Sequence, residues 1–170
     1  MLGLSLTQSL TLVSVMSFDP SVRLIKKDQN VYSSTGKNIQ VDNVMIQWLV
    51  SQAEKNNSHK CRICLHHKKG SAVQEMVIAY KKGVRLPIHR QLGKHVSYSI
   101  LAGELELNLY DDFGELKECI PMSFDGETGV RLCRLDASSF RNMTVKSDVV
   151  VFHEVANGPF NELDTEWLQK

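Results

Sequence analysis

The side chains of this chain best suited to chemistry are His89, Tyr98 and Arg141, with Gln91, Arg85, His66 and Gln74 as further polar candidates. An imidazole takes up a proton near neutral pH and a phenol can return one, so His89 with Tyr98 would suit proton transfer without a metal. Arg141 and Arg85 each offer a guanidinium fork, the geometry that holds a phosphate or carboxylate. Gln91, Gln74 and His66 would add hydrogen bonds to a polar ligand. Structural roles stay open for each: a solitary His at a strand end is often packed or solvated, and Tyr98 can simply fill a core.

Two groups are conspicuous but carry less. Cys61-Arg62-Ile63-Cys64 has the spacing of a zinc or redox pair, with His66 and His67 nearby. On a strand, however, residues three apart point to opposite faces, so the two sulfurs would share neither a metal nor a disulfide. Cys119 and Cys133 are isolated in sequence and supply no second pair. In His153-Glu154, the carboxylate reads as a structural partner, and Gly158-Pro159 turns the chain out of a last strand.

The elements that must position these groups read as mostly strand. Asp42 can cap a helix, since Met45, Trp48, Leu49 and Ala53 recur at helical spacing and Asn56-Asn57 closes the pattern. From residue 61 the period becomes two, giving short strands at 61–66, 73–80, 96–101, 104–110, 115–120, 130–135 and 149–155. Seven such runs imply a sandwich or barrel. Leu105, Leu107 and Leu109 define one face of the clearest run, which enters Asp111-Asp112-Phe113-Gly114, a hairpin turn. Residues 19–41 read as an irregular lead-in with a strand around Val31 and Tyr32. This gives an arm at 1–41, a helix and linker at 42–60, and a barrel at 61–165.

Within that barrel, Gly83 is followed after five residues by His89-Arg90-Gln91, after four more by Val96 and after six more by Gly103. The spacing is similar to the first motif of the cupins, β-barrels of the jelly-roll type, whose pattern places His, His and Glu where this chain has His89, Gln91 and Val96. Residues 61–66, Gln74-Glu75-Met76, Leu101-Ala102-Gly103-Glu104-Leu105, Tyr110 to Glu115 and Val151 to Phe160 resemble the WbuC-type cupin-fold metalloproteins of bacterial surface-polysaccharide (O-antigen) gene clusters. The likeness covers roughly residues 42–165. It implies an all-β cupin barrel with one N-terminal helix and a divalent metal held by four ligands, the fourth falling on or near Arg141.

Only His89 among His89, Gln91, Val96 and Arg141 is a good ligand. An amide oxygen poorly replaces imidazole, and Val96 has no lone pair. At about 5 Å and an effective dielectric of about 20, the charge of Arg141 would oppose a dication by about 6 to 7 kcal/mol. No cofactor is therefore expected, unless a β-bulge re-aims His95 inward beside His89 and completes an atypical ligand set. The resemblance implies a sugar or sugar-nucleotide ligand bound without metal, and the proton-transfer pair implies a metal-free epimerase or isomerase as the alternative.

Composition narrows the partners. Twenty Lys and Arg against nineteen Asp and Glu leave a net charge of +1 over 170 residues, which favours neither nucleic acid nor an anionic membrane. Four cysteines in a chain this size read as reduced thiols of a cytoplasmic protein. Leu2, Leu4, Leu6, Leu10 and Leu12 have period two, either a strand added to a sheet or residues preceding a true start at Met16. The first positive charge is Arg23, so a secretory signal is not expected. Open sheet edges make a homodimer the expected assembly.

Overall fold

The computed structural model describes residues 23–168, so the alternating leucines before Met16 lie outside the described residues. The expected helix α1 spans Asn43–Lys55, and the Asp42 carboxylate caps it by accepting from the Met45 amide at 2.8 Å. Its Met45, Leu49 and Ala53 pack on Cys61, Ile63, Val77, Ala79 and Val151. That set of partners comes from alternate positions of three strands, which places α1 on the outer face of one sheet.

Among the described residues that sheet has seven strands, in spatial order β1 (Leu24–Asp28), β2 (Val31–Ser34), β3 (Lys60–Cys64), β4 (Val73–Lys81), β11 (Val149–Asn157), β6 (Val96–Ala102) and β9 (Leu132–Leu135). The second sheet has five, ordered β12 (Thr165–Trp167), β5 (His89–Gln91), β10 (Phe140–Val145), β7 (Glu104–Tyr110) and β8 (Leu116–Ser123). Every pairing is antiparallel except β2 with β3. The inner faces close on one core of Ile78, Val96, Ile100, Leu105, Leu107 and Phe152 with their neighbours. Among the described residues the architecture is the expected all-β barrel with one α-helix, which stands between β2 and β3 in the chain. Among the described residues no helix is long and apolar enough to cross a membrane.

The seven strands expected from residue 61 onward are present, β7 with the expected ends and the other six with shifted ones, as is the strand expected around Val31 and Tyr32, and β1, β5, β10 and β12 join them. Residues 24–34 form a β1–β2 hairpin on the edge of the large sheet, so this part of the lead-in is regular. β10 escaped the alternation rule because its inward positions are Arg141, Met143 and Val145, an arginine where an apolar residue would mark the face. β5 and β12 have three residues each, too few for any periodicity.

Both glycines of the spaced motif have backbone reasons. Gly83 has φ +87° and Gly103 has φ +75°, a region costly for side-chain-bearing residues. A Cβ at Gly103 would also collide with the Val149 carbonyl. The motif's spacing is therefore that of two turns, which this chain retains irrespective of what stands at its ligand positions.

Candidate functional site

Strand register gathers the site. On the inner face of the large sheet, Cys64, Met76, Glu154, Tyr98 and Cys133 are direct neighbours on five successive strands. On the other sheet the corresponding row is Trp167, His89, Arg141, Leu109 and Glu118. Directly paired residues share a face, so each row presents its side chains together. The rows meet where Arg141 Nε donates to the Tyr98 hydroxyl at 2.9 Å.

Arg141 is 2% exposed and Tyr98 3% exposed. Besides Tyr98, the Arg141 guanidinium donates to the Ser139 carbonyl at 3.4 Å, and among the described residues no carboxylate lies within 4 Å of it. A buried cation without a close counter-ion carries a desolvation cost that the more distant Glu154 carboxyl only partly offsets. Because the Tyr98 oxygen accepts from Arg141, its own proton stays available for donation. Burial, followed by the Glu154 charge, pushes the phenol above its usual range, and the guanidinium only partly opposes this, so Tyr98 remains an O–H donor at neutral pH.

Glu154 is half-buried on the same inner face. Burial raises its carboxyl above the ordinary carboxylate value, against the pull of Arg141 and then Arg62. It is the site residue that the sequence reading assigned a structural role. His153, its neighbour, points to the opposite face and places Nε2 2.9 Å from the Glu75 carboxylate. The signal was present: Phe152, Glu154 and Ala156 share a parity, but β11 is apolar on both faces and hides which parity faces inward.

His89 donates from Nδ1 to the Pro87 carbonyl at 3.2 Å, which leaves Nε2 as the proton acceptor of the neutral ring. The ring stands 5.3 Å from that of Trp167. Burial, then the Arg141 charge, holds the imidazole below its usual pKa, so the ring is neutral at pH 7. A folded value below the unfolded one means that the unfolded chain binds more protons between them. Stability therefore falls as pH drops below about 6.5 toward the folded value. The expected result is an imidazole titration by NMR below 6.5 for His89, and a shallower loss of stability over that window in His89→Gln. A ring titrating at or above 6.5 would contradict the burial.

The remaining candidates divide. Gln91, two residues beyond His89 on the same face, is half-buried and pairs with Thr165. Gln74 is 6% exposed, and its amide donates to the Lys69 and Ser71 carbonyls at 3.0 and 3.1 Å, fixing the loop before β4. His66 Nδ1 accepts from the Glu75 amide at 3.0 Å, which ties it to the backbone of β4. Arg85 is exposed between β4 and β5. The two cysteines of the Cys-x-x-Cys pair lie on opposite faces, Cys61 in the helix-side core and Cys64 in the inner row. Burial pushes the Cys61 thiol up to about 11, and the Cys64 thiol upward as well.

The four positions at which a cupin metal would sit do not fit a dication. Val96 is 1% exposed and part of the apolar core, and Arg141 places a guanidinium among them. His95 does not compensate: β6 pairs with β11 without a bulge at this point, and the His95 side chain is 44% exposed, 4.0 Å from Asp136. Among the described residues no group of three His, Cys, Asp or Glu side chains comes together to hold an ion. The arrangement is instead that of a proton acceptor, a proton donor, a titratable carboxyl and a fixed cation around one barrel end.

The family described as "Domain of unknown function (DUF6016)" matches residues 41–122. No curated protein matches the sequence. Among solved structures, protein SO0799 from Shewanella oneidensis superposes with a TM-score of 0.51 at 12% identity, covering 62% of this chain and 67% of that one. Pac13 from Streptomyces, described as a unique nucleoside dehydratase and a β-barrel, gives 0.50 at 11% identity over 67% and 82%. CapF gives 0.51 at 16% identity over 64% of this chain and 32% of its own length, so this chain spans about a third of CapF. At these identities the likeness concerns architecture alone. The chain thus has an all-β, cupin-type barrel fold, with a DUF6016 match that begins just before α1 and ends in β8.

Proposed function

We propose that this protein is a WbuC-like cupin of bacterial surface-polysaccharide metabolism that binds a sugar or sugar-nucleotide at the barrel mouth without a metal. The observation that carries the reading is Arg141, a buried guanidinium hydrogen-bonded to Tyr98 and lacking a close carboxylate. Such a group is costly to keep unless a polar or anionic ligand completes its shell. Glu154, His89 and Gln91 add acceptors and donors around it, the mixture that a hydroxyl-rich ligand needs. The polysaccharide assignment rests on the residues shared with the WbuC-type proteins, and a cytoplasmic homodimer belongs to the same reading.

The test is calorimetric titration of the purified protein with a panel of nucleotide sugars, combined with elemental analysis. Saturable binding with far less than one metal ion per chain is expected, with binding retained after chelation. Near-stoichiometric metal that dissociates when His89 is replaced would overturn the metal-free reading.

A second reading, a metal-free sugar-nucleotide epimerase or isomerase, is favoured by one pairing. His89 is neutral with Nε2 free to accept a proton, and Tyr98 retains a donatable one. It requires exchange of a substrate C–H proton with solvent deuterium, abolished in His89→Ala and slowed in Tyr98→Phe. Binding without exchange across keto-sugar nucleotides leaves the binding role and eliminates this one.

A further inference from the structure

The inner face of the large sheet continues past the barrel mouth onto β3 and β2. There a cleft of about 200 Å³ is lined by Asp28, Asn30, Val31, Lys60, Arg62 and Tyr80, among others. Lys60 and Arg62 are alternate residues of β3 and so project from the same face. Neither has a carboxylate within 4 Å among the described residues. The one acid of the lining, Asp28, already accepts from the Gln29 amide at 2.7 Å. The cleft thus holds two cations on one strand face with an incomplete counter-charge.

This cleft and the Arg141 site share a wall. Tyr80 packs edge-on against Phe152 at 5.3 Å, and Phe152 packs against Tyr98 at 5.9 Å. Arg62 and Arg141 both act on the Glu154 carboxyl, and Arg62 also acts on Tyr80, so one electrostatic field spans both places. From β3 to β6 is three strand spacings, about 14 Å.

We propose that Lys60 and Arg62 form the diphosphate subsite for the ligand of the barrel mouth, making that ligand a soluble glycosyl diphosphate ester such as a nucleotide sugar. A flexible ammonium and a forked guanidinium on adjacent inward positions suit the two linked phosphates, with the Tyr80 hydroxyl as a further donor. The identity of the sugar end rests on the function proposed above, whereas the anion subsite stands on the cleft itself.

The test uses full-length protein and three probes: inorganic pyrophosphate, a nucleoside diphosphate, and the matching nucleotide sugar. Both charged residues reach solvent, so the doubly substituted Lys60→Ala, Arg62→Ala protein is expected to melt as the wild type does. It is expected to bind all three probes at least tenfold more weakly, and wild-type affinity is expected to fall steeply with salt. Arg141→Met is expected to leave pyrophosphate affinity unchanged while removing the extra affinity of the nucleotide sugar. Pyrophosphate binding that survives the double substitution, or is absent from the wild type, overturns the subsite. Pyrophosphate binding with no gain from the sugar overturns the function proposed for the mouth and leaves the subsite standing.

Discussion

Arg141→Met is expected to raise the unfolding free energy at pH 5 to 6 by about 1 to 3 kcal/mol while weakening ligand binding by a hundredfold or more. The guanidinium is 2% exposed, and no carboxylate lies within 4 Å of it among the described residues. Its removal relieves the cost of burying a charge, and methionine refills most of its volume. The opposing loss is smaller: the Tyr98 hydroxyl is left without its 2.9 Å donor. The gain should shrink as pH rises. Burial already raises the Glu154 carboxyl while Arg141 pulls it down, so without Arg141 it climbs further. A raised carboxyl makes the folded state bind more protons than the unfolded state, so the variant loses stability relative to wild type as pH climbs above the ordinary carboxylate value. Urea denaturation at pH 5.5 and pH 8 measures both effects. A variant destabilised equally at both values would make Arg141 a purely structural residue.

The second large effect belongs to the wall behind the site. Phe152 is fully buried and meets Tyr80 and Tyr98 edge-on. Phe152→Ala is expected to cost about 3 to 5 kcal/mol, through lost burial and a cavity that two flanking tyrosines cannot fill. Phe152→Leu should cost much less and keep the fold. If the wall also positions Tyr98, the leucine variant will bind ligand more weakly while its far-ultraviolet circular dichroism remains unchanged. An alanine variant that loses under 1 kcal/mol would place the real core elsewhere.

How much of this was legible in the sequence depended on which signal each element carried. α1 could be bounded to the residue at its start because Asp42 is a side-chain cap, a local interaction visible in any sequence. β7 was clear because its leucines alternate with polar groups. β10 was missed for the reason that makes it interesting: its inward Arg141 faces a site rather than the core. Glu154 was undervalued because a central strand covered on both sides has no polar face to set its parity, whereas its register partner Tyr98 identifies it at once in three dimensions. The spaced glycines foretold turns, which are backbone properties. They could not say what lies between them, because side-chain chemistry at Gln91 and Val96 is independent of φ at Gly83 and Gly103.

The three-residue strand β5 has β10 on one side and β12 on the other, with Trp167 opposite His89. The ring of His89, fixed through Nδ1 by the nearby Pro87 carbonyl, is thereby walled by Trp167, a residue far later in the chain. Detachment of the short edge strand β12 alone would bare His89 without opening the core, so ligand recognition should be lost at a lower denaturant concentration than the fold itself.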